Sequence, residues 1–309
     1  MALEVEIWQA DIEGNLYANN EFLTKSKDES GSVLGGRVVH IPQAGAASGI
    51  KKNRSVFPAP VIKRSDTDIV YVLDEYTSNP ITIPNIDTVQ LSYDKRQSVI
   101  SEDQAKLEEV MANEMLNKWA GLAADNNVVL RTSGEGRTAI VTGGTGLRKA
   151  FTVKDVLAAS KALDKQNIPR KDRFGLLTPD METDIVTDPL FINNPAWFTQ
   201  WQATGQLPNF AGFQFFVRSA SSVYAANATA IRGYDDDGVL TGSAVTDCAS
   251  AIFWHKDCVE KAKGTIKFFG RSDDPQYFGD IYSFLCMMGG RKRRADGKGI
   301  VQLVEAPTT

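Results

Sequence analysis

With 309 residues, the chain can bury a substantial core, as one large domain or two modest ones. Its 42% hydrophobic and 23% charged residues and formal net charge of -4 are those of an ordinary soluble protein. No apolar run approaches the roughly 18 residues a membrane span needs, and three cysteines (Cys248, Cys258, Cys286) are too few, and odd in number, for a disulfide framework.

The opening stretch, MALEVEIWQADIEGN, lacks the basic start and apolar block of a secretory signal, so cytoplasmic synthesis is expected. Residues 1–36 are polar and without sustained periodicity, with seven acids against Lys25 and Lys27. They read as an arm that orders against something else rather than as a core element. RVVHIP then reads as a strand, and QAGAASGIKKNRSVFPAP as a long loop of small residues and proline. DTDIVYVLDEY and NPITIPNID follow as extended, β-branched segments. Together they form a long two-stranded excursion with a loose tip. Most loops in compact domains hold about 4–6 residues, so one this long is usually functional or ordered by a partner.

Ser101 and Gln104 fit a capping box, and Leu107, Val110, Met111, Met115, Leu116, Trp119, Leu122 and Ala123 recur at helical spacing, ending at Asn126–Asn127. A second helix starts at Thr152, with Asp155 at the matching position, and stops before Pro169. RFGLLTP is expected as a buried strand, METDIV and PAWFTQWQATG as short helices. FQFFVRS, ASAIFWH, GTIKFF, YSFLCMMGG and GIVQLVE read as strands, with a short DCVEKAKG helix between the second and third. This order suggests an α+β fold. Trp197, Phe198 and Trp201 read as core residues.

Catalytic spellings fail. AIVTGGTGLRKA (139–150) has an apolar strand running into glycines, like a dinucleotide turn. Yet that fingerprint needs its glycines where a helix opens; here the cap is Thr152, and Lys149 stands where a third glycine belongs. No tyrosine has the lysine four residues later that short-chain dehydrogenases use. A plain loop is the reading. No P-loop, H-E-x-x-H or G-x-S-x-G occurs. Asp235–Asp236–Asp237–Gly238 lacks the flanking acids of a calcium loop, because Gly233 and Ala244 occupy their places. His255 near Cys248 and Cys258 lacks the fourth ligand of a structural zinc site. No catalytic, cofactor-binding or metal residue is therefore expected. Arg291-Lys292-Arg293-Arg294 is the one strong basic run, read as a solvated hairpin turn between Gly289–Gly290 and Asp296–Gly297.

In order, these elements resemble the major capsid (coat) protein of tailed phages, the Hong Kong 97-type fold. LLTPDMETDIVTDPLF followed by GQLPNFAGFQFFVRS is similar to that family's axial-domain pattern, and AIFWHKDCVEKAKG to its later strand-and-helix step. VVHIPQAGAAS and DIVYVLDEYTSNPITIPN resemble coat proteins of phages infecting Bacteroides-type bacteria. The resemblance implies an N-terminal arm (1–36) and an extended β-hairpin called the E-loop (37–84). It implies a peripheral domain whose first part (85–170) holds a spine helix (101–124), an axial domain (171–265), and closing peripheral strands (266–309). The implied function is structural, not enzymatic. The chain would self-assemble through pentamers and hexamers into an icosahedral head shell around a double-stranded DNA genome. Implied partners are itself, a portal, a separate scaffolding protein or none, and packaged DNA held non-specifically. The implied location is the virion, after synthesis in the bacterial cytoplasm. An encapsulin-like nanocompartment is the alternative within the fold, and an NAD(P)-dependent short-chain oxidoreductase the alternative of another class.

Charge adds an expectation of its own. Residues 37–64 hold Arg37, Lys51, Lys52, Arg54, Lys63 and Arg64 and no acid; residues 65–90 hold Asp66, Asp68, Asp74, Glu75 and Asp87 and no Lys or Arg. One reading is cross-strand pairing within the hairpin. The other makes Lys51, Lys52, Asn53 and Arg54 an intersubunit contact that docks on acids of a neighbour, such as those of the arm. Lysine in a loop is ordinary, and no covalent cross-link is assigned.

Overall fold

The computed structural model describes residues 20–308 apart from 36, 46–48, 60, 62, 85–94, 126, 236–238, 243 and 295. Glu4, Glu6, Asp11 and Glu13 of the acidic arm, Asp87, Asn126 and Asp236–Gly238 lie outside the described residues.

After Asn20 come a 3-10 turn (Glu21–Lys25), β1 (Lys27–Asp28), a second 3-10 turn (Ser30–Ser32) and β2 (Val33–Leu34). Strands β3 (Val38–Gln43), β4 (Thr67–Val72), β5 (Asp74–Thr77) and β6 (Ile81–Pro84) precede the spine helix α1 (Lys95–Trp119). Strands β7 (Val128–Arg131), β8 (Gly136–Thr138) and β9 (Leu147–Lys149) lead to α2 (Val153–Lys165) and β10 (Arg173–Leu177). Three short helices follow, α3 (Pro179–Thr187), α4 (Pro189–Ile192) and α5 (Pro195–Thr204), then β11 (Phe213–Val217) and β12 (Val223–Tyr224). The chain closes with β13 (Cys248–His255), a 3-10 turn, β14 (Val259–Asp274), β15 (Gly279–Lys292) and β16 (Ile300–Val304).

Two sheets sandwich the spine helix. One has the order β11-β10-β13-β16-β7, with β12 on β13; the other has β1-β14-β15-β5, with β6 also on β15. In the first sheet alternate residues face opposite cores. Phe174, Leu176, Ile252, Trp254 and Ile300 pack with Met111, Met115, Leu116 and Trp119 of α1, and with Ile266, Phe284, Cys286 and Met288 of the second sheet. Their neighbours Leu177, Ala251, Phe253, Val301 and Leu303 pack instead with Val156, Ala159 and Leu163 of α2 and Met181 and Ile185 of α3. A strand buried on both faces reads as an unbroken apolar run, which is why RFGLL and CASAIFWH have no polar alternation.

Local signals set the helix starts. Thr152 caps α2 in the expected box: its hydroxyl accepts from the Asp155 N–H, and the Asp155 carboxylate accepts from the Thr152 N–H at 3.1 Å. Thr178 and Asn194 cap α3 and α5, each followed by a proline whose missing N–H costs nothing there. Gly205 ends α5 at φ +66°, a left-handed position that suits glycine. Trp197, Phe198 and Trp201 are half-buried against the α2–α3 core.

Several expectations are corrected. The spine helix runs Lys95–Trp119, not 101–124; Ser101 lies inside it, because KRQSVI before it holds no breaker. It stops at Trp119 because Gly121 turns the chain tightly against Asn127, whose side chain lies 2.2 Å from where a Cβ would sit. DCVEKAKG is no helix. Lys256–Cys258 is a 3-10 turn, and Val259 onward is strand, since Val259 to Ala262 are buried between β1 and β15. Ala139–Val141 lie in the loop of the β8–β9 hairpin, not in a strand. Strand β15 runs on through Gly289 and Gly290 to Lys292, so Arg291 and Lys292 lie in the strand rather than in a turn; a Cβ at the two glycines would meet Leu73 at 2.8 Å and the Glu260 carbonyl at 2.5 Å. The arm is part of the core from Asn20 onward: Phe22 and Leu23 are buried, and Phe22 meets Trp119 edge-on at 5.9 Å. Two adjacent apolar residues in a single turn leave no periodic trace.

Candidate intersubunit surface

Strands β3 and β4 pair antiparallel from Val38 opposite Val72 to Gln43 opposite Thr67. Beyond that register, residues 44–66 hold no helix or strand among the described residues. Lys51, Lys52 and Asn53 are exposed and Arg54 half-buried. Asn53 has φ +51°, a left-handed turn position that asparagine tolerates better than most residues. Four large apolar side chains stand open around them: Ile50 (94% exposed), Val56, Phe57 (75%) and Val61 (100%). Monomer surfaces usually scatter such residues singly.

The acids of the returning strand are engaged elsewhere. Asp68 takes His40 Nδ1 at 2.6 Å, Asp66 takes Arg64 at 2.6 Å, and Asp74 takes Lys118 of the spine helix. Charged cross-strand pairing within the hairpin is thus confined, among the described residues, to His40–Asp68. Among the described residues no carboxylate pairs with Lys51, Lys52, Arg54 or Lys63.

The hairpin's root rests on the face of β14–β15 opposite the spine helix. Val39, Ile41, Ile69 and Leu73 are buried there with Ala262, beside Tyr71 and Met287. Beneath it lies a polar cluster that sequence reasoning missed. Glu260 is fully buried, and burial pushes its carboxyl up to about 7. Burial also raises the Tyr71 hydroxyl, with the Glu260 charge second. Arg293 reaches Glu29 at 3.6 Å and Glu260 at 3.8 Å, while its carbonyl accepts from Gln43 Nε2 at 2.8 Å. The hydrogen bond from Lys27 holds the Glu29 carboxyl below its ordinary value. Arg294 pairs with Asp296 at 2.8 Å and holds that carboxyl well below the carboxylate range. The basic run is therefore partly neutralised, not a free cationic turn. The one legible signal was a glutamate in a segment that otherwise reads as helix.

The glycine stretch is a hairpin loop, with Gly143 and Gly146 at φ +76° and +79°, and Thr152 opens the next helix separately. His255, Cys248 and Cys258 do not gather: His255 Nδ1 accepts from the Asp257 N–H at 3.2 Å, and the three cysteines are buried and in no disulfide. Among the described residues no group of three or more His, Cys, Asp or Glu is placed to hold a metal ion. No helix among the described residues is long and apolar enough to cross a membrane.

The family model for phage capsid protein matches residues 23–303. The chain belongs to the phage capsid protein family. It is a structural capsid protein, and the nanocompartment alternative is not favoured. Solved phage structures share the fold. A chain of the capsid of cyanophage P-SCSP1u has a TM-score of 0.63 at 16% identity, covering 92% of this chain and 87% of that one. One from Mycobacterium phage Che8 has 0.60 at 17%, covering 93% and 90%. One from the capsid of Ralstonia phage GP4 has 0.58 at 10%, covering 92% and 87%. At such identities the likeness concerns the fold alone. Among curated proteins none matches the chain.

Proposed function

We propose that this capsid protein is the major coat subunit of a tailed phage, building an icosahedral head through pentamers and hexamers around double-stranded DNA. The observation that carries this reading is a projecting hairpin with open apolar residues and unpaired cations, on a chain of a capsid family. A shell subunit must touch several neighbours, and extended elements reach farther than a compact body. Residues 1–36 are the arm, 37–84 the E-loop, 85–170 and 266–309 the peripheral domain, and 171–265 the axial domain. Lys51, Lys52, Asn53 and Arg54 form the contact that docks on acidic surface of the next subunit, with the apolar residues beside them buried by the same event. The portal, a separate scaffolding protein and packaged DNA are the further partners. The subunit is made in the host cytoplasm and resides in the virion, without catalysis of its own.

Negative-stain imaging of the purified full-length chain tests this. Closed shells are expected, with nucleic acid inside particles taken from infected cells. Protein that stays monomeric at every concentration and salt, or shells carrying enzyme cargo in place of nucleic acid, would overturn it.

A further inference from the structure

Three separate stretches of chain converge on Glu260. Opposite it in β1 stands Lys27, and the N-terminal segment continues to Glu29, whose N–H donates to the Lys261 carbonyl at 2.9 Å. Ser30 accepts from the Lys263 N–H at 2.9 Å. From the hairpin root, Tyr71 lies over Gly289 and faces the carboxyl. From β15, Arg291 is the register partner of Glu260, and Arg293 follows at 3.8 Å. Along β14, Lys261 is balanced by Asp28. Helix α1 brings no titratable group: Trp119 Nε1 donates to the Glu260 backbone carbonyl at 3.0 Å.

The Tyr71 hydroxyl is the one side-chain hydrogen-bond donor facing the Glu260 carboxyl among the described residues, and the pair falls short of full hydrogen-bond geometry. An ionised carboxylate buried with so weak a hydrogen-bond partner is costly, and Arg293 at 3.8 Å, shared with Glu29, together with the charge of Arg291 offsets only part of that cost. A protonated carboxyl escapes the cost of the buried charge and keeps only the smaller one of a neutral polar group. Glu260, fully buried, therefore faces the hairpin root through Tyr71 and pairs with the N-terminal segment through the β1–β14 ladder.

We propose that Glu260 is a proton-operated latch, which clamps the N-terminal segment and the hairpin root onto the long sheet when protonated and loosens them when ionised. This goes beyond the coat-subunit reading and does not depend on it, because the latch acts within one chain.

The sign follows from the direction of the shift. The clamped carboxyl titrates near 7, against an ordinary 4.5 once exposed. Below both values clamped and open states are equally protonated. Between them only the open state ionises, so opening is favoured about tenfold per pH unit, levelling off above the higher value.

Hydrogen exchange of the full-length subunit, corrected for intrinsic pH dependence, reads this in residues 27–33 and 67–73. Wild-type opening should rise by about two orders of magnitude from pH 4.5 to 7 and then flatten. Glu260→Gln should be flat throughout. Removing the acid neighbour with Glu29→Gln should move the plateau to lower pH; removing the cation with Arg293→Gln should move it to higher pH. A flat wild-type profile, or an undiminished slope in Glu260→Gln, overturns the latch. If Glu260→Gln fails to fold, the other two variants decide, and plateaus that do not separate in opposite directions overturn it as well.

Discussion

Replacing Trp119 by alanine removes the side chain at which arm, spine helix and first sheet meet. The indole is 0% exposed. It lies 5.9 Å from the Phe22 ring and 5.9 Å from the Trp254 ring, and donates to the Glu260 carbonyl at 3.0 Å. A buried aromatic side chain removes about 150–250 Å² from water, worth about 4–6 kcal/mol at about 25 cal/mol per Å². Alanine keeps part of that, and core truncations of this kind cost about 3–5 kcal/mol. The lost hydrogen bond adds about 1 kcal/mol. A total near 4–6 kcal/mol, set against a melting entropy of about 2.1 cal/mol/K per residue, lowers the melting temperature by about 6–9 °C. Far-UV circular dichroism melts of unassembled subunits measure this. Trp201→Ala on α5, where the ring is only half-buried, is the control and should cost about 1–2 kcal/mol. If Trp119→Ala melts within about 2 °C of wild type, or no lower than the control, the spine helix does not anchor the arm and the first sheet at this residue.

Three further outcomes are expected. Deleting residues 44–60 should leave the melting temperature of the subunit nearly unchanged while abolishing stable shells in electron micrographs; normal shells would remove the tip from the interface. Replacing Lys51, Lys52 and Arg54 together by glutamine should slow assembly in light scattering at low salt. It should also erase most of the loss seen as ionic strength reaches physiological values, where the screening length is about 8 Å; an equally salt-sensitive mutant would leave the unpaired cations without that role. Gly290→Ala places a methyl 2.5 Å from the Glu260 carbonyl and 2.9 Å from Met115 Sδ, so it should cost about 1–3 kcal/mol in denaturant titration, whereas a neutral result would mean that β14 and β15 can separate there freely.

Much of the architecture was legible in the sequence because it rests on local signals. The Thr152–Asp155 box, the proline-led helices and the doubly apolar strands each announce themselves within a few residues. What escaped was decided by distant partners. VEKAK has good helix formers, yet Glu260 pairs with Arg291 and Ala262 with Gly289, and two flanking strands outweigh a propensity of a few tenths of a kcal/mol per residue. Arg291 and Lys292 read as part of a turn, yet both lie in β15 opposite Glu260 and Val259. The charge split of the hairpin was visible, but its resolution was not. That Asp74 is taken by Lys118, 44 residues on, and Asp68 by His40 leaves the tip cations unpaired, and no count of charges along the chain reveals which acids are already engaged.

The same contacts explain how a hairpin can be attached firmly enough to keep its register yet remain the part of the subunit that responds to a neighbour. Its root buries only Val39, Ile41, Ile69 and Leu73. At about 1.5–3 kcal/mol each, four such side chains supply about 6–12 kcal/mol. Ordering the twelve residues of β3 and β4 costs about 1–2 kcal/mol each in backbone entropy alone, so the root is close to balance even after its ladder of hydrogen bonds is counted. Elements near balance open locally before the core does, and the core here is held separately, by Trp119, Trp254 and their neighbours on the other face of the sheet. At the tip, Ile50, Val56, Phe57 and Val61 are open. Burying those four against an adjacent subunit, as the proposed docking requires, would contribute about as much again as the root does. Assembly would then roughly double the apolar anchoring of the hairpin without altering the fold of the subunit that carries it.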